Sequence, residues 1–214
     1  MNDGSGMRKE MGRMRIGAGG MRGRRLRAPD GSGTRPVLAR IKKSVFDYLQ
    51  PRMKGARVLD LFAGAGTFGL EALSRGAALV VLVEKGGAAL AAIRDNVRAL
   101  GKGKTAKVVA ADAFALPEGF GAESSGPGGS GGPGGSGGFD IMFIDPPFAE
   151  TRDGELLEAA ARLLGPTGVA VLRVPSGRAL VARHAGLVLA REKVYGESRV
   201  GYYRRGNPAS GGPS

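Results

Sequence analysis

Cysteine is absent from the 214 residues, and histidine occurs once, at position 184. The first absence excludes a disulfide frame and any Cys-based zinc site, and it fits a reducing cytoplasm. A lone His184 excludes a multi-histidine metal site, so no metal is expected. The N-terminus lacks the apolar stretch of a secretory signal. The longest apolar run, Ala77 to Val83, is far short of the ~20 residues that a membrane span needs. These absences lead to the expectation of a cytoplasmic protein without a membrane partner. Acidic residues are also scarce: 19 Asp and Glu stand against 32 Lys and Arg, a formal charge of +13. Such an excess points to a polyanion as partner. The excess is uneven, because residues 1–55 hold fourteen Lys and Arg but four Asp and Glu.

The chain length suits one domain with a small appendage. Residues 1–14 carry four methionines among Gly and charged residues and read as a disordered leader. Residues 15–55 read as a basic N-terminal RNA-binding extension. Within it, Arg15 to Leu26 (RIGAGGMRGRRL) is punctuated by Gly, which suggests a short basic hairpin or arm. A helix is expected from Pro36, with Val37, Ile41, Val45, Phe46 and Leu49 at helical spacing and Pro51 ending it. Residues 56–205 then alternate. Strand-like runs lie at Val58–Phe62, Leu79–Val83, Ala106–Ala110, Phe139–Ile144 and Val169–Val174, with helical stretches at Thr67–Arg75, Gly87–Leu100 and Asp153–Leu164. Continuous apolar strands between helices predict an α/β fold with a mostly parallel sheet covered on both faces. Leu187–Tyr195 and Ser198–Arg204, joined by Gly196-Glu197, predict an antiparallel C-terminal hairpin. Ten of the eighteen residues in 121–138 are Gly, so this stretch is expected to be a flexible insertion. The last residues, 206–214, read as a disordered tail.

Four motifs carry chemistry. Gly64, Gly66 and Gly69, after the strand ending at Phe62, satisfy G-x-G-x-x-G, a turn that brings a ligand close to backbone at a helix N-terminus. Leu70 and Glu71 stand where a P-loop needs Lys and Ser or Thr, which excludes that motif. Asp60, four residues before Gly64, suits the cationic methionine portion of S-adenosylmethionine and would repel a pyrophosphate; the lesser alternative is a carboxylate that caps the loop. Glu84, at the end of the next strand, can accept from a ribose diol. Asp112, with Ala113, follows the third strand, where the carboxylate can accept from an adenine amino group or cap the turn.

The fourth motif is Asp145-Pro146-Pro147-Phe148, delivered by the apolar run Phe139–Ile144. In open α/β sheets ligands bind at the carboxyl ends of strands. The amino group of a base is a poor nucleophile because its lone pair is delocalised into the ring. A carboxylate (Asp145) and a rigidly held carbonyl (Pro146) that both accept from its N–H groups raise electron density on nitrogen and orient it. Phe148 offers a face for a base drawn out of its helix or loop. With the preceding acids in order, the motif points to an amino methyltransferase acting on nucleic acid.

At these residues the sequence resembles the RsmD family of bacterial small-subunit rRNA guanine-N2 methyltransferases, from about Arg15 to Arg204. The resemblance is carried by RIGAGGMRGRRL, by Arg35-Pro36 with Arg40 and Phe46, by DLFAGAGTFGLEALSRGA (Asp60 to Ala77), by Asn96, and by YGESRVGYYRR (Tyr195 to Arg205). It implies a Rossmann-like class I fold with a seven-stranded sheet. It also implies methylation of a guanine of the 966 type in 16S rRNA of the small subunit. It places the base at Asp145, Pro146 and Phe148, and the cofactor at Asp60, Gly64, Glu84 and Asp112. Val37, Ala39, Lys43 and Gly86 depart from the family pattern.

Arg15, Arg22, Arg24, Arg25, Arg27, Arg35 and Arg40 are the expected phosphate contacts, and a monomer is expected. Three other readings remain open: a DNA adenine-N6 or cytosine-N4 methyltransferase, a non-catalytic RNA-binding assembly factor, and a nicotinamide oxidoreductase. The first would need a separate target-recognition region, and no segment is long enough for one. The last lacks a visible hydride-site residue.

Overall fold

The computed structural model describes residues 14–28, 36–121 and 137–206. Arg35, nearly all of the leader and tail, and most of the 121–138 insertion lie outside them. Pro36–Met53 forms α1, Arg57–Leu61 β1, Thr67–Ser74 α2, Leu79–Glu84 β2, Gly87–Ala99 α3 and Ala106–Ala110 β3. Phe139–Ile144 forms β4, Asp153–Leu163 α4, Leu164–Pro175 β5, Arg183–His184 β6, Leu187–Tyr195 β7 and Ser198–Arg205 β8. One sheet takes the order β3-β2-β1-β4-β5-β8-β7-β6. Strands β3 to β5 run parallel, and β8, β7 and β6 add antiparallel.

Side-chain alternation along the strands splits the core into two layers. Val58, Val80, Leu82, Ile141, Phe143, Val169 and Tyr202 face α1, α2 and α3. Leu59, Leu61, Val81, Val83, Met142, Ile144, Ala170 and Tyr203 face α4 and the loop after β3. Phe46 of α1, Phe68 of α2 and Phe143 of β4 meet with ring centroids 5.1–6.1 Å apart, which seats α1 on the sheet. Tyr202 and Tyr203 are fully buried and act in packing. The N-terminal arm forms the expected hairpin: Arg15 bridges Arg25 in antiparallel fashion, and Ile16 and Leu26 are buried in the α1–α3 layer. Among the described residues, no helix is long and apolar enough to cross a membrane.

The structure corrects two expectations. The sheet has eight strands, not seven. The eighth, β6, is two residues long and follows from the tight turn at Ala185 (φ 47°) and Gly186 (φ 79°) that folds Arg183–His184 back on β7. Nor does Pro51 end α1, which continues to Met53. A proline in the last turn removes one N–H, and the fully buried Met53 keeps the following residues helical.

Candidate active site

The glycine turn is built on positive dihedrals. Phe62, where β1 gives way to the turn, has φ 61°, a conformation that non-glycine residues rarely adopt and that clusters at functional sites. Its ring meets Phe114 edge-on at 5.7 Å. Gly64 and Gly66 follow with φ 56° and 78°. The three glycines serve different ends. A Cβ on Gly64 would meet nothing within 4 Å, so its backbone is open to a ligand. A Cβ on Gly66 would lie 2.9 Å from Ile93, and one on Gly69 2.5 Å from Leu82 and 2.7 Å from Val80. Close packing therefore excludes a side chain at Gly66 and Gly69, and Gly69 sets the approach of α2 to the sheet.

The acids at the strand ends hold these loops. Asp60 is 1% exposed, and its Oδ2 accepts from the Gly69 N–H at 2.9 Å. The loop-capping role is thus present. Burial pushes its carboxyl up to about 8, against the lowering influence of that N–H, and the negative fields of Asp145 and Glu84 push the same way. Glu84 accepts from Gly64 N–H at 2.9 Å through Oε2, and from Lys85 and Gly86 N–H through Oε1. It ties the glycine turn to the start of α3. A Cβ on Gly86 would lie 3.2 Å from Glu84 Oε1, so glycine here leaves room for that clasp. Asp112 accepts from Phe114 N–H at 3.1 Å and pairs with Lys85 Nζ at 3.0 Å. The Phe114 N–H, then Lys85, hold its carboxyl below the usual range.

One cavity of about 330 Å³ joins parts of the cofactor and DPPF motifs, with Asp60, Gly64, Asp112 and Phe148 outside its lining. It is lined by Phe62, Glu84, Ala113, Asp145, Pro146 and Pro147, together with Lys85, Glu150 and Arg173. Register explains the meeting: β1 lies between β2 and β4, so Leu61 pairs with both Val83 and Ile144, and their carboxyl ends open at one level. Asp60 lies beneath, close enough for Asp145 and Glu84 to act on it electrostatically. Glu84, Asp145 and Glu150 line the cavity beside Lys85 and Arg173, and Arg173 is already paired with Asp145. The donor set fits S-adenosylmethionine: an open backbone at Gly64, acids for a cation and a diol, and the apolar walls of Phe62 and Ala113.

Sequence reasoning missed the partners of the DPPF motif. Arg173, on β5, donates from Nε to Asp145 Oδ1 in a close ion pair, and from Nη1 to Ser198 Oγ at 3.2 Å. Its guanidinium carbon sits 4.7 Å from the centre of the Phe148 ring. Burial raises the Asp145 carboxyl above its usual range, and Arg173 opposes that shift. Arg178 donates to Phe148 O at 3.3 Å and pairs with Asp153 at 3.1 Å, bracing the loop beyond Pro147. A charged residue inside the apolar run Val169–Val174 was the available signal for Arg173. Arg178 left no pattern of its own.

The basic arm is docked beside this site. Glu71, fully buried, accepts from Gly17 and Ala18 N–H at 2.7 and 3.0 Å and pairs with Lys42 and Arg75. Buried Asn96 accepts from Arg27 N–H and donates to Arg27 O and to Ala65 O of the glycine turn. Three of the predicted phosphate contacts have partners within the protein: Arg15 with Gly23 O, Arg24 with Ala99 O, and Arg27 with Asp95. Arg22, Arg25 and Arg40 are exposed and make no ion pair among the described residues.

A family model described as Conserved hypothetical protein 95 matches residues 14–204. The chain is 36% identical over 200 residues to the Escherichia coli K12 protein named Ribosomal RNA small subunit methyltransferase D, across 91% of each chain. A solved structure, "Putative methyltransferase yhhF from Escherichia coli", superposes with a TM-score of 0.73 at 32% identity, covering 91% of this chain and 98% of that one. A hypothetical protein from Thermus thermophilus superposes with a TM-score of 0.65 at 34% identity, over 89% of this chain and 98% of its own.

Proposed function

The chain belongs to the RsmD family, and on that premise we propose that it moves a methyl group from S-adenosylmethionine to the exocyclic N2 of a guanine in 16S rRNA. It has the Rossmann-like fold of S-adenosylmethionine-dependent methyltransferases and is an rRNA methyltransferase; the base, the atom and the position, of the 966 type, are the finer part of the reading. The observation that carries it is the single cavity in which Phe62, Glu84 and Ala113 meet Asp145, Pro146 and Pro147.

When bound, the cofactor supplies an electrophilic methyl group on a sulfonium. Asp60 and Gly64 would hold its cationic portion, Glu84 its ribose, and Asp112 with Ala113 its adenine. Asp145 accepts from the amino group of the base and keeps the nitrogen lone pair directed across the cavity. The Pro146 carbonyl is the second acceptor, and Phe148 supports the ring. Positioning and polarisation supply the rate, and Asp145 need not take the proton before the methyl group has moved. The amino proton leaves afterwards, to Asp145 or to water. Arg22, Arg25 and Arg40 are the phosphate contacts that this reading favours, since they are exposed and have no ion-pair partner among the described residues.

The test is methyl transfer from labelled S-adenosylmethionine to small subunits that lack the modification, with mass spectrometry of the nucleosides. N2-methylguanosine at one site is expected. Methylated adenine or cytosine, or no product from a chain that still binds the cofactor, would overturn the guanine-N2 assignment.

A further inference from the structure

We propose that Arg173 occupies the base slot of the free protein and is exchanged for the target base when RNA binds. The inference rests on the reading above, in which Asp145 and Phe148 hold that base. In the structure one planar group makes both contacts: Arg173 Nε donates to the Asp145 carboxylate, and the guanidinium lies 4.7 Å from the centre of the Phe148 ring. A guanidinium is flat and carries only donors. The N1–H and NH₂ edge of guanine, a 2-amino-6-oxopurine, has the same planar N–C–N donor pattern, so a slot that suits one suits the other.

Two features make exchange physically accessible. The Arg173 and Asp145 side chains are 22% and 19% exposed, so the pair can separate without opening the core. Arg173 also has a second anchor in Ser198 Oγ, which lessens the loss when Asp145 is released. The arrangement solves a problem of the free state as well. A part-buried carboxylate without a partner would be costly, and Arg173 opposes the upward shift of the Asp145 carboxyl until the base arrives. The consequence is selectivity: a free nucleoside must displace a charge-assisted pair with a neutral one, whereas RNA brings binding energy from its phosphates.

The experiment uses the full chain saturated with S-adenosylhomocysteine, titrated with guanosine 5′-monophosphate at pH 8.5 and followed by NMR. Arg173→Met should bind the nucleotide at least tenfold more tightly than the wild type, and adding Phe148→Ala should abolish the gain. Kinetics on rRNA should show KM falling in Arg173→Met, and the acid limb of the pH profile moving to higher pH as Asp145 loses its counter-charge. Arg173→Lys, which keeps the cation but not the plane, should fall between the two and serves if the Met variant does not fold. Equal nucleotide affinity in wild type and variants, or a fall in kcat at unchanged KM, would make Arg173 a fixed brace and overturn the proposal. A wild type that leaves rRNA unmethylated, with the gain in nucleotide binding intact, would remove the assigned substrate and leave the exchange standing.

Discussion

Asp145 lines the cavity half-buried, Asp60 is buried beneath it, and their different partners lead to different predictions. Asp145 has Arg173 and needs its charge to accept from an amino group. Asp145→Ala should retain cofactor binding by calorimetry and lose roughly 100-fold or more in turnover, the scale of one positioned electrostatic contact. A near wild-type rate would remove Asp145 from the mechanism. Asp60 accepts from the Gly69 N–H and has no ion-pair partner among the described residues, and its carboxyl rises to about 8. A carboxyl raised in the folded state contributes stability that is fully present below its ordinary value of 3.8 and is lost as pH rises through about 8. The cofactor-free wild type should therefore lose melting temperature between pH 5 and pH 9, and Asp60→Asn should flatten that slope. A cationic ligand acts in the opposite direction: it lowers the Asp60 carboxyl, so binding should release a proton at pH 6–7 and tighten as pH rises. Calorimetry in buffers of different ionisation enthalpy would detect that proton, and its absence would separate Asp60 from the cationic portion of the ligand.

Elements meet at the glycine turn, where α2 lies so close to β1 and β2 that a single methyl group has no room. Gly69→Ala would place a Cβ 2.5 Å from Leu82 and 2.7 Å from Val80. Overpacking of this kind costs about 1–3 kcal/mol, and a chain of this length should lose several degrees in melting temperature. Gly64→Ala meets no atom within 4 Å, so its penalty in the apo protein should come from φ 56° alone. Its larger effect should be on cofactor affinity. A Gly69→Ala variant as stable as wild type would contradict the packing account. Most of these elements were legible in the sequence, because buried parallel strands are continuous apolar runs and leave a pattern. Strands β3, β4 and β7 begin and end where the runs do, β1, β2 and β8 differ by one residue at one or both ends, and β5 starts five residues earlier. What was not legible depends on tertiary contact. Two-residue β6 has no periodicity to read, and α1 passes Pro51 because Met53 is buried. The DPPF motif announces Asp145, whereas Arg173 comes from 28 residues away and gains its meaning from the pairing of β4 with β5.

At the scale of the whole molecule, the net charge of +13 does not translate into thirteen phosphate contacts. Several of the N-terminal arginines already serve the fold. Arg24 donates to the carbonyl of Ala99 at the end of α3, Arg27 pairs with Asp95, and Arg15 closes its own hairpin. Arg22, Arg25 and Arg40 are exposed without such partners among the described residues, and the arm is joined to the glycine turn by Asn96. Each phosphate neutralised contributes roughly 0.7–0.9 to the slope of log affinity against log salt concentration. Replacing Arg22, Arg25 and Arg40 together by Ala should therefore reduce that slope by about two, weaken RNA binding most at low salt, and leave melting unchanged. Replacing Arg15, Arg24 and Arg27 should do the reverse, lowering the melting temperature with a smaller change in slope. Salt titrations of both triple variants against the same rRNA fragment decide the matter. A slope that responds to the paired set and ignores the unpaired one would show that the arm rearranges on RNA, releasing its internal arginines to the phosphates.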